Sequence, residues 1–403
     1  MNYFAEITQW RWVLPSLLSL SVSLLVGCGD KENRSTQVEN EGKENFGESS
    51  TPLVILTWDE YFAPEVVAEF EAEFGIKVEF VSFGNLDEQE ALLRSRPSDF
   101  DLTLTSGVKM ADLIATQLIQ PIQKELLPLF GNMDQRFLGL GSDPENQYSV
   151  PYMWGPTLIA YRSDKIAEPA QAWKSLWDER YRGHVLMLDE PFDAYASALL
   201  ASGHDINSQD PAKLDDATKL LLDQAQRLGT RFVDIDEVRE KLLSGDCWIT
   251  MTYSSDAGVL AEKEENIAYF IPEEGASLWL DSFVIPREAK NSRAAHLFLN
   301  YFCRPEVAAA NSNELWCASA NREARRFISE EIKEDPTIYL SDEVLARCEL
   351  ETRASVERNR LVNRGMKLVY DSIQTNREKE GEAQRTADAG NRDRAGESNQ
   401  TEE

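Results

Sequence analysis

The order of strand and helix patterns is the feature of this sequence that most constrains its fold. The run LVILTW at residues 53–58 is continuously apolar, which is typical of a parallel strand covered on both faces. A helix pattern follows at once, with Pro64 in its first turn and Gly75 at its end. The alternation continues with a strand at IKVEFVSF (76–83), a helix at DEQEALLRSR (87–96) and a strand at DFDLTLTS (99–106). Strands that alternate with helices predict a doubly wound α/β sheet.

A second set of alternating patterns begins near His184. Its members are a strand at HVLMLDE (184–190), helices at PFDAYASALLASG (191–203), DPAKLDDATKLLLDQAQRL (210–228) and VREKLLSGD (238–246), and a strand at CWITMTYSS (247–255). The chain has 403 residues, of which 42% are hydrophobic, so it holds enough apolar material for two cores. The sequence therefore predicts two α/β units.

The first 28 residues have the pattern of an export signal, because an arginine precedes an apolar run that ends in small residues. The last four of them, LVGC, resemble the lipobox of bacterial lipoproteins, in which Cys28 would be lipidated and become the mature N-terminus. A plain signal peptide and an uncleaved anchor are the alternatives. Residues 29–50 and 374–403 contain few large apolar side chains, so we expect a disordered tether and a disordered acidic tail.

The charge of the chain excludes one class of partner. A formal net charge of -29 argues against nucleic acid, because binding phosphates requires an excess of Lys and Arg. The acidic surface would attract a cationic ligand, or it would serve solubility alone. Both interpretations stay open at the level of composition.

The cysteines and histidines show no metal-binding pattern. Besides Cys28 there are four cysteines, with neither a CxxC pair nor zinc spacing, and the three histidines are not spaced as a metal pair. Export would permit disulfides, so a Cys303–Cys348 or a Cys303–Cys317 bond is possible. Four buried free thiols are the alternative. We predict neither a metal site nor a cofactor.

One extended run carries an acid among apolar side chains. In residues 273–286, EEGASLWLDSFVIP, strand periodicity places Trp279, Asp281 and Phe283 on the same face. A buried carboxylate is costly unless a cation or hydrogen-bond donors meet it. Asp281 is therefore a candidate partner for a positively charged ligand.

Eight segments together resemble the spermidine/putrescine-binding proteins of bacterial polyamine ABC importers. They are WDEY (58–61), FDLTLTSG (100–107), YSVPYMWGPTLIAY (148–161), AWKSLWDERYRG (172–183), LDEPFDAY (188–195), TYSSDA (252–257), PEEGASLWLDSFVIP (272–286) and WCASAN (316–321). The resemblance covers Leu53 to Phe327 and extends more weakly to Ile373. One such segment alone would be weak, but eight in the order of the family are specific.

This resemblance implies the fold and the partners. The family has a type II-like periplasmic binding-protein fold, in which two α/β lobes are joined by crossing strands and close on a ligand by hinge motion. We expect lobe 1 at residues 51–155 plus about 257–300, and lobe 2 at 156–256 plus about 301–373. The implied protein is a monomer that carries a polyamine to an ABC permease. It would be a membrane-anchored lipoprotein of the periplasm, or of the extracellular face where there is no outer membrane.

The resemblance also assigns residues to the ligand site. A polyamine needs carboxylates for its terminal ammonium groups and aromatic walls for its methylenes, and cation–π contact adds about 0.5–2 kcal/mol. By family position, the ligand-binding residues are Trp58, Tyr61, Ser106, Glu190, Asp193, Tyr253, Trp279 and Asp281. Residues with a weaker case are Asp59, Glu60, Asp189, Trp316 and Cys317.

The chain departs from the family pattern at several of these positions. Glu190 stands where Asp is usual, Asp193 where Glu is usual, and Tyr253 where Trp is usual. Val108 and Cys317 replace two tyrosines. The choice between spermidine and putrescine therefore stays open.

Three other functions compete with polyamine capture. The same fold would bind another organic cation, such as an amino-sugar or an opine, or it would report a ligand to a sensor rather than a permease. An enzyme is disfavoured. Two of the clustered acids Asp189, Glu190 and Asp193 could form the carboxylate pair of a glycosidase. The GxSxG and phosphate-loop motifs of other enzyme classes are absent from the sequence.

Overall fold

The computed structural model describes residues 51–141, 143–352 and 354–398. The predicted signal peptide, with Cys28, and the predicted tether at 29–50 lie outside the described residues. Among the described residues, no helix combines the length and the apolar character needed to cross a membrane.

The described elements are twelve strands and twelve helices, together with short helical turns. The strands are β1 (Leu53–Thr57), β2 (Val78–Ser82), β3 (Leu102–Ser106), β4 (Ile119–Gln120), β5 (Ser149–Arg162), β6 (Val185–Leu188), β7 (Arg231–Val233), β8 (Ile249–Tyr253), β9 (Ile267–Phe270), β10 (Ser277–Pro286), β11 (Ala318–Ser319) and β12 (Glu349–Leu350). The helices are α1 (Pro64–Phe74), α2 (Leu86–Ser95), α3 (Gly107–Ala115), α4 (Pro191–Ala201), α5 (Pro211–Asp223), α6 (Ile235–Ser244), α7 (Ser254–Lys263), α8 (Ser292–Phe302), α9 (Pro305–Leu315), α10 (Glu330–Glu334), α11 (Asp342–Leu345) and α12 (Val356–Ser398).

The start and end signals of the first helix act as predicted. Pro64 occupies the first turn of α1, and Gly75 ends the helix with a left-handed backbone at φ 67°. The N–H of Gly75 donates to the carbonyl of Glu71, which satisfies one of the free carbonyls at the helix end. The predicted strand–helix–strand order is therefore confirmed in this region.

Two long strands connect the halves of the molecule. The main path of the sheet runs β2-β1-β3-β10-β5-β8-β6-β7. Residues 149–156 of β5 pair antiparallel with β10, whereas residues 157–162 pair with β8 and β9. The single strand β5 thus passes from one half to the other, and β10 returns beside it.

Two main hydrophobic cores define the lobes. Lobe 1 packs around Phe70 of α1, Phe283 of β10 and Phe298 of α8. Lobe 2 packs around Leu199 of α4 and Met251 of β8. We use these names for the two halves below.

The predicted lobe boundaries are wrong for two segments. Buried apolar residues between 257 and 276 belong to the core of lobe 2, whereas the core of lobe 1 includes Tyr301, Phe302, Cys303, Val307 and Cys317. The reason is that the chain returns to lobe 1 only along β10, at residue 277, and then completes lobe 1 with α8 and α9. Sequence patterns identified these elements but did not show which core receives them.

The C-terminal region also differs from the prediction. The composition of residues 374–398 predicts disorder, but these residues continue α12 as a helix. The helix starts on a packed surface, because Val362, Met366 and Val369 are buried in the core of lobe 2. Once such a helix is nucleated, each further residue adds a hydrogen bond, so a polar sequence rich in good helix formers extends it.

The four described cysteines are free thiols, so both disulfide alternatives are wrong. Cys247, Cys303 and Cys317 are buried, and Cys348 is half-buried. Burial raises the pKa of the Cys303 thiol to about 12, which keeps this thiol protonated and unreactive at neutral pH.

Candidate functional site

The site in lobe 1 forms where strands end beside β10. Trp58 follows β1, Ser106 ends β3, and Asp281 on β10 is the antiparallel partner of Ser106. The hydroxyl of Tyr61 donates to Asp281 Oδ2 at 2.6 Å, and the rings of Trp58 and Tyr61 meet edge to face at 5.5 Å. The structure therefore brings together four of the predicted ligand residues.

Asp281 is a buried acid that meets a neutral donor rather than a cation. Asp281 is only 8% exposed. Burial raises the pKa of its carboxyl to about 7, although the hydrogen bond from Tyr61 acts to lower this pKa. The pKa of Tyr61 is raised well above its usual value by burial and by the neighbouring Asp281. A positive charge placed beside Asp281 would be strongly favoured, because it would offset the desolvation of the carboxylate.

A second acid in lobe 2 is held in the same manner. Asp193 lies in the first turn of α4 and accepts hydrogen bonds from the hydroxyls of Thr157 at 3.0 Å, Tyr253 at 3.2 Å and Ser277 at 3.3 Å. Burial raises the pKa of the Asp193 carboxyl, while these three donors lower it. The donors come from β5, β8 and β10, so both crossing strands help to orient this side chain.

Glu190 is the residue before α4, three positions from Asp193. Its surface is exposed, yet protein atoms crowd its carboxyl enough that desolvation, followed by the charges of Asp193 and Asp189, raises its pKa to about 7. Asp87 of lobe 1 contributes a smaller effect of the same sign. Acids of both lobes thus act on one another at this position.

The aromatic wall of the site depends on a glycine. Trp279 on β10 is the strand partner of Gly155 on β5, and a Cβ at Gly155 would lie 2.7 Å from Trp279 Cζ2 and 2.5 Å from Ser254 Oγ. Only glycine therefore fits this point of β5. The ring of Tyr253 lies 6.4 Å from that of Trp279, and the buried Trp279 Nε1–H has no acceptor among the described residues.

Glu351 is a further acid that sequence reasoning missed. It follows β12, which pairs in parallel with β10. Leu350 is the partner of Leu278, so the next residues in the same register are Glu351 and Trp279. A Cβ at Gly107, next to Ser106, would lie 4.0 Å from the Glu351 carbonyl oxygen. The segment therefore enters the site between the two lobes.

The charges around Glu351 agree with this position. Burial, followed by the charge of Asp193, raises the pKa of its carboxyl to about 8, while Arg358 of α12 lowers it. Glu190 acts in the same direction as Asp193. The only sequence signal was an acid inside the short run CELE at 348–351, in a region where the family resemblance is weak.

The residues with a weaker case lie in different surroundings. Asp59 and Glu60 are exposed in the turn after β1, and Asp189 accepts a hydrogen bond from the hydroxyl of Tyr370 on α12. Cys317 is fully buried with its thiol directed at a backbone carbonyl, so it lies behind the site rather than on its surface. Trp316 is half-buried against Gly258.

The carboxyl groups of the site suit a cation held by charge and hydrogen bonds. The part of the chain that the structure describes contains no group of three or more His, Cys, Asp or Glu side chains able to hold a metal ion. What the arrangement offers is a carboxyl beside an aromatic side chain in each lobe, Asp281 with Tyr61 and Asp193 with Tyr253.

A family model described as bacterial extracellular solute-binding protein matches residues 65–339. The chain therefore belongs to this family of solute-binding proteins. Within the family, the putrescine-binding periplasmic protein PotF of Escherichia coli strain K12 is 33% identical over 318 residues, which cover 73% of this chain and 85% of PotF. The putrescine/agmatine-binding protein of Pseudomonas aeruginosa is 28% identical over 317 residues, which cover 74% and 86%.

Solved structures give the same result. The spermidine/putrescine ABC transporter substrate-binding protein PotD of Streptococcus pneumoniae superposes with a TM-score of 0.73 at 26% identity, covering 80% of this chain and 100% of that protein. The Tp0655 lipoprotein of Treponema pallidum gives a TM-score of 0.72 at 23% identity and supports the fold alone. The predicted two-lobe fold and the resemblance to polyamine-binding proteins are both confirmed.

Proposed function

We propose that this protein captures a polyamine between its lobes and delivers it to the permease of an ABC importer. The observation that carries the proposal is the pair of buried acids, Asp281 in lobe 1 and Asp193 in lobe 2. Each is held by neutral hydroxyl donors, so the charge that forms when it ionises would be neutralised by the ligand. The relatives PotF and PotD are named for binding putrescine and spermidine, which are amines of this kind.

The chemistry of the site matches the chemistry of a polyamine. Asp281 would accept one terminal ammonium, and Asp193 with Glu190 would accept the other. The alkyl chain between them would lie on the aromatic wall of Trp58 and Trp279, where cation–π contact adds to burial of the methylenes. Once a ligand cation lowers its pKa, Glu351 would give the site a further negative charge, which a triamine neutralises better than a diamine does.

Binding and transport follow from differential affinity. A ligand that contacts both lobes favours the closed state, because only that state offers every contact. We infer that the closed protein docks on the permease as a monomer. It would be held at the membrane by lipid on Cys28, in the periplasm or on the extracellular face.

We infer no catalytic role for the acids of lobe 2. A glycosidase needs one carboxyl of raised pKa beside another of ordinary pKa. Within the pair Glu190 and Asp193, burial is the main cause that raises the pKa of both carboxyls, so this pair lacks the carboxyl of ordinary pKa. The named relatives are periplasmic binding proteins for putrescine or for spermidine and putrescine.

A thermal-shift series followed by calorimetry tests the proposal. The protein is first freed of bound solute by reversible unfolding and dialysis, and then receives putrescine, spermidine, spermine, agmatine or a neutral diol of matched length. A ligand at a hundred times its Kd stabilises the folded state by about 2.7 kcal/mol, so the unfolding midpoint should rise by several degrees. No response to any amine, with a response to a neutral or anionic solute, would refute polyamine capture.

One observation favours an alternative ligand within the same fold. The buried Trp279 Nε1–H is a donor without an acceptor among the described residues, and a polyamine offers only donors at neutral pH. An amino-sugar or an opine carries both a cation and an acceptor. If such a compound binds in the calorimeter and polyamines do not, the alternative replaces the proposal.

A further inference from the structure

Trp316 has an unusual backbone for its residue type. It follows α9 with φ 49° and ψ 43°, the left-handed conformation that glycine usually supplies at the end of a helix. A bulky side chain in this conformation is strained, and such strain persists only where the surroundings fix it, often at functional sites.

The backbone around Trp316 is anchored to the ligand wall of lobe 1, the name we give to Trp58, Tyr61 and Asp281. In the last turns of α9, Asn311 accepts a hydrogen bond from the N–H of Ala63 at 2.8 Å and donates to the hydroxyl of Tyr152 at 2.6 Å. Tyr152 in turn donates to the carbonyl of Tyr61 at 2.7 Å. The end of α9 is therefore tied to the loop whose tyrosine holds Asp281.

The indole of Trp316 contacts lobe 2. A Cβ at Gly258 of α7 would lie 3.2 Å from Trp316 Cε3 and 3.6 Å from Trp316 Cβ. Ala257 and Leu260 on either side of Gly258 are buried in the core of lobe 2. The contact thus joins the residue that follows α9 of lobe 1 to a helix of lobe 2.

The helix α7 is itself fixed to the ligand wall of lobe 2, the name we give to Asp193 and Tyr253. It begins at Ser254, directly after Tyr253, whose hydroxyl donates to Asp193. The buried Asp256 in its first turn accepts from Arg239 Nε of α6 at 2.6 Å. Movement of α7 therefore moves the residues that would grip one end of the ligand.

We propose that Trp316 and Gly258 are positioning residues, and that their contact sets the distance between the two ligand walls without touching the ligand. The inference rests on the proposed function where ligand affinity is concerned. It also explains why α7 keeps a glycine inside a helix, where alanine would normally be more stable. The left-handed backbone of Trp316 and the glycine inside α7 each lower stability, and the two residues contact each other.

Two variants separate a positioning role from ordinary packing. Gly258→Ala adds a methyl group against the indole while improving helix propensity, and Trp316→Asn removes the indole while keeping a residue that tolerates the left-handed backbone. For Gly258→Ala we expect an unchanged or higher unfolding midpoint without ligand. For both we expect spermidine affinity to fall about five- to tenfold, mainly through faster dissociation in stopped-flow measurements.

A matched control uses another strained residue. Gln117 also has a left-handed backbone, with φ 57°, but it lies at the exposed end of α3. Gln117→Gly should leave spermidine affinity unchanged. The double variant Gly258→Ala/Trp316→Asn should lose no more affinity than Trp316→Asn alone, because the added methyl then meets no indole.

Hydrogen exchange of the ligand-free protein tests the contact independently of polyamine binding. Trp316→Asn should increase exchange in residues 254–263 of lobe 2 as well as around residue 316. Faster exchange near residue 316 alone, or spermidine affinity within twofold of wild type for both variants, would overturn the positioning role. If the wild type binds no amine, the proposed function fails, while the exchange data still decide whether the contact couples the lobes.

Discussion

Replacing Asp281 by Asn tests the electrostatic basis of the site most directly. The change keeps the shape of the side chain and an oxygen that accepts the hydrogen bond from Tyr61, and it removes only the charge. Because burial raises the pKa of Asp281 to about 7 from an ordinary value of 3.8, ionising it costs the folded state stability. At 1.36 kcal/mol per pKa unit, this cost approaches about 4 kcal/mol above pH 7.

The sign of the stability effect follows from proton binding. Between about pH 4 and pH 7 the unfolded chain has lost this proton while the folded protein keeps it, so stability falls as pH rises through that range. The amide introduced by Asp281→Asn cannot ionise. The ligand-free variant should therefore be more stable than wild type at pH 8, and the difference should shrink towards pH 4.

Ligand affinity should change in the opposite direction. Removing one partner of a buried charge pair costs about 3–5 kcal/mol, because the other charge is left unpaired in a place without water. Some of this cost is recovered if the lobes close less tightly, so we expect spermidine affinity to fall by at least tenfold and up to a thousandfold. A variant that is more stable and yet binds less tightly would be the signature of a charge held ready for a ligand.

The assay combines calorimetry with thermal unfolding between pH 4 and pH 8, and Asp101→Asn serves as the matched control. Asp101 is also buried, but it accepts backbone N–H groups of Val54 and Asn291 near the start of β3, at the opposite end of that strand from Ser106. Asp101→Asn should lower the unfolding midpoint and leave affinity unchanged. Wild-type affinity in Asp281→Asn, or lower stability at pH 8, would refute the reasoning.

Three further predictions concern neighbouring residues. Glu351→Gln should weaken spermidine binding about tenfold and putrescine binding less, which calorimetry would measure. Equal losses for the two ligands would contradict a role of Glu351 in distinguishing a triamine from a diamine. Tyr61→Phe removes a donor that lowers the pKa of Asp281, so binding should require a higher pH, and an unshifted pH profile of Kd would contradict this. Gly155→Ala places a methyl group against the indole of Trp279 and should lower both the unfolding midpoint and spermidine affinity, and unchanged values would show that the site tolerates a side chain there.

The local structure of the chain was predictable where local chemistry decides it. Pro64 and Gly75 mark the ends of α1 because each residue's backbone preference acts within one turn of the helix. Asp281 was identifiable because an acid in an apolar strand is costly wherever the strand lies. Assignment of α7 to one lobe and α9 to the other depends instead on the path of β10, which no local pattern encodes.

Glu351 shows the same limit within the site. Its role depends on the pairing of a two-residue strand, β12, with a strand some seventy residues earlier, and two residues carry too little periodicity to predict a strand. The helix at 374–398 was not predicted for a related reason, since its start is stabilised by packing against α4 and α5 rather than by its own composition.

The way in which the acids are held explains how an empty site that costs stability can favour a cationic ligand. If a lysine or arginine met Asp281 or Asp193, the site would be neutral, and an incoming ammonium would have to displace that cation. Hydroxyl donors instead orient the carboxyls and lower their pKa only in part, so most of the cost of burying the charge remains. In the proposed function, a cationic ligand would remove that cost at both acids at once. We therefore expect affinity to depend on the number and spacing of the ligand's positive charges, which is the property that distinguishes one polyamine from another.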